Sequence, residues 1–162
     1  MSSKEQLTAW LNSAYAMEQN LAKVLENHAK DAKDQPEIRE RDEQHIAETR
    51  GHAERVKECL AILGEKPSMM KSALGNIMGI VQGASTGMFR DEIVKNFLAD
   101  YASEHFEIAC YRSLIAAAEE LEQPEIARIC REILTDEEAM AQWLEERLPE
   151  VTRLTLQQVA TA

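Results

Sequence analysis

The chain has 162 residues, 44% of them apolar and 29% charged, which is enough for one domain with a real core. A formal net charge of −11 argues against a phosphate-binding surface, and so against nucleic acid as a partner, and it suits a soluble protein that attracts cations. Only six Gly and four Pro, set among much Ala, Leu, Glu and Gln, give the composition of an all-α protein.

The first thirty residues are amphipathic and charged throughout, unlike a signal peptide, and no apolar run approaches the ~20 residues of a membrane span. The expectation is a cytoplasmic protein with no membrane partner. Cys59, Cys110 and Cys130 are far apart and lack C-x-x-C spacing, so they read as reduced core thiols rather than as a structural zinc site.

Ser2 and Ser3 before Lys4-Glu5-Gln6 form a helix start. The apolar stripe then runs Leu7, Leu11, Ala14, Glu18, Leu21, Leu25 and His28, with a carboxylate in a core position. Asp34-Gln35-Pro36 breaks this first helix, predicted over about 3–31. A second helix over about 36–64 shows an inward face of Ile38, Ile46, Thr49, Ala53, Val56, Leu60 and Leu63. It is closed by Gly64 and Pro67. His45 and His52, one heptad apart, border that face, and Glu48 lies at its edge. His28 and His105 read as surface residues.

Residues 65–89 interrupt methionine and aliphatic residues with Gly75, Gly79, Gly83 and Gly87. They predict a long crossover holding a short helix over about 68–83, a flexible surface that could also meet a partner. Asp91-Glu92 opens a helix over about 90–121. Its stripe is Phe97, Tyr101, Glu104, Ile108, Tyr111, Ile115 and Ala118, and Glu107 flanks the same face. Gln123-Pro124-Glu125 starts the last helix, over about 124–148, with Ile126, Cys130, Ile133, Glu137, Met140 and Leu144 inward and Glu138 beside them. Pro149 is expected to end it. Two helical hairpins joined by one long connection make an antiparallel four-helix bundle.

Helices joined by short loops are antiparallel, so residues equidistant from a turn share a height. Glu18 and Glu48 stand about fourteen residues either side of the first turn, and Glu107 and Glu137/Glu138 are matched in the same way about the second. One carboxylate from each helix therefore reaches one level. Like charges that close raise each other's pKa, and shared protons or divalent metal resolve the conflict. Oxygen-rich sites with one or two imidazoles suit iron or manganese, and two such ions about 3.5–4 Å apart can share bridging carboxylates. The candidate ligands are Glu18, Glu48, Glu104, Glu107, Glu137 and Glu138, with His45 or His52 one turn from Glu48. Tyr111 is a nearby phenol able to hydrogen-bond or carry an electron. Taken singly, each Glu reads as a boundary residue and each His as a solvent-facing one; the joint occurrence favours a metal site.

Ala14-Tyr15-Ala16-Met17-Glu18, Gln44-His45-Ile46-Ala47-Glu48-Thr49, Asp91-Glu92-Ile93-Val94-Lys95, Phe106-Glu107-Ile108-Ala109-Cys110-Tyr111 and Glu137-Glu138 with Trp143-Leu144 resemble the ferritin-like superfamily. Within it they resemble the bacterial YciE/YciF-like stress proteins. The resemblance implies a homodimeric cytoplasmic bundle with a centre of two iron or two manganese ions per chain and a link to stress responses. The superfamily's Glu-x-x-His motif is absent: Glu48 is followed at that spacing by Gly51, with His52 one further, and Glu138 by Ala141. A centre richer in carboxylate than that of rubrerythrins is expected. One function is then a di-metal oxidoreductase acting on O2 or peroxide. The alternatives are a non-catalytic metal-binding or partner-binding bundle, and a structural dimer whose site holds only protons or water.

Overall fold

A computed structural model describes residues 2–68 and 91–160. Four helices carry them: α1 (Ser3–Asp31), α2 (Pro36–Ile62), α3 (Glu92–Glu120) and α4 (Pro124–Ala160). No strand occurs among the described residues. The short helix expected at about 68–83, and the methionine and glycine surface with it, lie outside them.

Each hairpin has a local cause. The Ser2 side chain accepts from the Glu5 N–H while Glu5 reaches back to the Ser2 N–H, a capping box that starts α1. Pro36 sits in the first turn of α2, where its missing N–H costs nothing. At the far end Gly64 takes φ 80°, and the Glu65 N–H returns to the Leu60 carbonyl. Glu122 adopts the same left-handed turn at φ 54°, with the Gln123 N–H on the Ala118 carbonyl.

α1 pairs closely with α2 and α3 with α4, while the α1/α3 and α2/α4 contacts are sparser and the diagonal pairs reach one another only through side chains, as His45 does to Glu104. Cross-helix partners fix the directions. Glu18 meets Tyr111 and His28 meets Asp100, so α1 and α3 are antiparallel. α2 and α3 therefore run the same way.

Among the described residues the apolar core falls into three clusters, one of them the small group Leu25, Ala29 and Ile46. A large cluster that includes Leu11, Met17, Leu60, Tyr111, Ile126 and Ile133 fills one half, and a smaller one around Ile38, Phe97, Met140, Leu144 and Val151 fills the other. Between them, on every helix, the inward positions turn polar.

One expectation is corrected. α4 does not stop at Pro149; it continues to Ala160. Leu144, Leu148, Val151 and Thr155 repeat at steps of four and three, and Val151 and Thr155 are buried. Burying that stripe offsets the hydrogen bond that the proline removes.

Candidate metal centre

The polar layer is built from one stripe on each helix. Glu18 comes from α1, His45 and His52 from α2, Glu104 and Glu107 from α3, and Glu137 from α4, and all six are buried. Two groups stand out, each with one ligand atom per residue and all those atoms within 4.8 Å of one another: Glu18, His52 and Glu137, and His45, Glu104 and Glu137. Glu137 belongs to both.

His45 Nε2 lies 2.9 Å from Glu104 Oε1. His52 Nδ1 lies 2.9 Å from Glu137 Oε1 and 3.7 Å from Glu18 Oε2. The short approach of His52 Nδ1 to Glu137 is poorly aligned for a hydrogen bond. Glu18 Oε2, Glu104 Oε2 and both oxygens of Glu137 are likewise buried without a hydrogen-bond partner. Such atoms cost free energy unless something satisfies them. The Tyr111 hydroxyl donates to Glu18 Oε1, which places the phenol at the edge of the group.

The electrostatics follow from burial. Desolvation raises Glu107 well above the usual carboxylate range, and Glu137, Glu18 and Glu104 add to it. Burial also raises Glu18, against the opposing pull of His52. Glu104 is raised to about 7 by burial, although His45 pulls the other way. For the histidines, burial alone would lower the pKa. Glu104 overrides it and takes His45 to about 10, while Glu137 and Glu18 take His52 to about 11. Burial and the Glu18 carboxylate push the Tyr111 phenol well up.

Two expected ligands stay outside. Glu48 is a quarter exposed and is held by Arg41 Nη1 at 3.1 Å and Gln44 Nε2 at 2.8 Å, with one oxygen 3.1 Å from His45 Nδ1. His45 and Arg41 hold it down at about 2 against the effect of burial. Glu138 is 47% exposed and pairs with Arg112 at 2.8 Å. The contribution of α2 is thus two imidazoles, seven residues apart, rather than a carboxylate, and the layer holds more nitrogen than the missing Glu-x-x-His motif suggests. His105 is exposed as expected, edge-on to Tyr101.

His28 is not a surface residue. It is buried, with Nδ1 2.8 Å from Asp100 Oδ1. Burial opposes its protonation, and Asp100 nonetheless raises it. Asp42 is buried beside this pair and is lifted to about 7 by burial and by Asp100. Asn96 donates to Asp31 at 3.0 Å in the same region. Sequence reasoning missed this second polar layer. Its signal was present, because Asn96, Asp100 and Glu104 follow one another at steps of four, and Asp42 follows Ile38 in the same way.

The thiols are free; Cys59 and Cys130 are buried and Cys110 is half-buried. No helix among the described residues is long and apolar enough to cross a membrane.

A bundle of two hairpins with a long crossover, polar at mid-height and apolar on either side, defines the ferritin-like class. Residues 2–157 match the family described as a domain of unknown function, DUF892, and the chain belongs to that family. A solved protein from Xanthomonas campestris pv. campestris is similar at 34% identity and TM-score 0.84, covering 98% of this chain and 99% of that one. The Escherichia coli stress protein YciF is similar at 21% identity and TM-score 0.81, over 94% and 98% of the two chains. The bacterioferritin of Desulfovibrio desulfuricans, a protein with a diiron site, is similar at 20% identity and TM-score 0.78, over 98% and 87%. At those two identities the likeness is one of fold, and the ferritin-like, YciE/YciF-like resemblance of the sequence stands on these findings together.

Proposed function

We propose that this chain is a ferritin-like protein with a dinuclear iron or manganese centre, acting on ferrous iron or peroxide in a stress response. The observation that carries the reading is the pair of overlapping triads sharing Glu137, in a layer whose buried oxygens lack hydrogen-bond partners. Glu18, His52 and Glu137 would hold one ion, and His45, Glu104 and Glu137 the other, with Glu107 a further carboxylate close to Glu137, Glu18 and Glu104. The donor set of imidazole and carboxylate fits iron or manganese, and the diiron site of the similar bacterioferritin supports the same choice.

Two such ions, when bound, supply one-electron steps and a Lewis-acid site for a small oxidant. The remaining work belongs to the chain. Glu18, Glu104 and Glu107, raised by burial when metal-free, give up protons to bind, and their carboxylates then offset the ionic charge. Tyr111 holds Glu18 by one oxygen and leaves the other to face His52. The apolar clusters above and below keep the layer dry. A homodimer in the cytoplasm belongs to the same proposal, on the family resemblance.

The test is metal content after anaerobic reconstitution with Fe(II) or Mn(II), for the wild type beside Glu137→Ala and Glu18→Ala/Glu107→Ala. About two ions per chain, lost in the variants, followed by peroxide consumption, is the expected result. Bound metal without peroxide or ferrous oxidation would leave a metal-storing bundle. No bound metal would overturn the reading.

A further inference from the structure

Glu48 and Asp136 are two carboxylates that the proposed centre does not use. Each stands behind an imidazole, on the side away from Glu137. His45 presents Nε2 inward, 2.9 Å from Glu104, and its outer Nδ1 is 3.1 Å from Glu48 Oε2. His52 is arranged the other way round. Its Nδ1 faces Glu137 and Glu18, and its outer Nε2 is 3.1 Å from Asp136 Oδ2.

We propose that Glu48 and Asp136 are the positioning residues of the centre. Each accepts the outer N–H of one histidine and so dedicates Nε2 of His45 and Nδ1 of His52 to metal. The inference rests on the dinuclear reading and deepens it, since it removes Glu48 from the ligand set and assigns opposite nitrogens to the two rings.

The chemistry is that of a neutral imidazole, which carries a single N–H. A carboxylate on one nitrogen fixes the tautomer, orients the ring and makes the other nitrogen a better donor. Both outer carboxylates are suited to this. Glu48 is 25% and Asp136 37% exposed, and each has a guanidinium beside it: Arg41 at 3.1 Å from Glu48, and Arg55 at 3.6 Å from Asp136. Both lie nearer to solvent than the inner carboxylates, which are buried.

The two supports differ in origin. Glu48 lies three residues from His45 on the same helix, so α2 orients that ring by itself. Asp136 precedes Glu137 on α4, so α4 grips His52 from both sides, with Glu137 inward and Asp136 outward. The His52 nitrogen is therefore aimed only when α2 and α4 are docked.

The experiment uses the full chain with 15N-labelled histidine, loaded with Zn(II) as a diamagnetic probe. Long-range 1H–15N correlations identify the metal-bound nitrogen of each ring, and a competing chelator gives the affinity. Expected are Nε2 ligation with an Nδ1–H for His45, and Nδ1 ligation with an Nε2–H for His52. Glu48→Ala and Asp136→Ala should each weaken Zn(II) binding by about 10–100-fold at unchanged stoichiometry. Each should alter the signals of its own histidine alone. Glu48→Gln and Asp136→Asn, which keep an acceptor, should fall between those variants and the wild type. Ligation of both rings through the same nitrogen, or wild-type affinity and spectra in the alanine variants, would overturn the inference while leaving a metal centre in place. A wild-type chain that binds no Zn(II) would overturn the dinuclear reading, and this inference with it.

Discussion

Tyr111 carries a buried hydroxyl whose hydrogen bond ends on a buried carboxylate, Glu18. Tyr111→Phe keeps the ring in the large apolar cluster and removes only that donor, leaving a Glu18 oxygen without a partner. Orphaning a buried acceptor costs about 1–3 kcal/mol, and urea unfolding of the metal-free variant should show a loss of that order. An unchanged midpoint would mean that Glu18 has another donor. Glu107 makes the opposite case. Burial and three neighbouring carboxylates favour its neutral acid, and glutamine is close to that form in shape and charge. Glu107→Gln should therefore change metal-free stability by less than about 1 kcal/mol, within the range of mild substitutions, while weakening metal binding. A large destabilisation would show that Glu107 is ionised in the folded protein.

At the scale of the elements, helical periodicity made the bundle legible. The stripes through Glu18, Glu104 and Glu137 do turn those carboxylates inward, because a side chain's direction on a helix is set by its angle. The same rule placed Glu48 at an edge, which is where it is found. Periodicity could not show that His45 and His52 lean in from the border of their stripe, since rotamer and partner decide that. It did put His28 on the inward stripe of α1, but not the partner that lets an imidazole stay there, because Asp100 is 72 residues away. Pro149 is the clearest case of a local rule losing to packing. A proline inside a helix costs about 3 kcal/mol, and here it is tolerated for the sake of Val151 and Thr155. Pro149→Ala should accordingly raise stability, by up to about 3 kcal/mol, whereas Val151→Ala should lower it by about 1–3 kcal/mol through lost burial. Denaturant midpoints for the pair check this. A less stable Pro149→Ala would mean that the proline shapes a bend the packing requires.

For the whole molecule, the polar layer makes stability depend on pH in a direction that metal should reverse. Without metal, Glu104 and Asp42 are raised to about 7, and Glu18 and Glu107 are raised as well. The folded chain thus keeps protons that the unfolded chain, with carboxylates near 3.8–4.5, has already released. Stability must then fall as pH rises from about 4 to 7. His45 and His52 act in the same sense: their contributions are complete below 6.5 and fade as pH climbs through about 10 and 11. Glu48 works the other way, because it is held at about 2 and its contribution is lost only as pH falls below 4.5. The metal-free protein should therefore melt at a higher temperature at pH 5.5 than at pH 8.5. A bound ion needs deprotonated ligands, so protons compete with it and its affinity grows with pH. An ion at a hundred times its Kd adds about 2.7 kcal/mol, which is about 5–10 °C for a chain of this size. Mn(II) or Zn(II) should therefore raise Tm at pH 8.5 by about that much, and by far less at pH 5.5. Calorimetry in a chelator and in excess ion at the two pH values measures both effects. If Tm in the chelator were flat with pH while the ion's effect was equal at the two values, the carboxylates and imidazoles of this layer would not be exchanging protons for metal, and the charge balance drawn from their burial would be wrong.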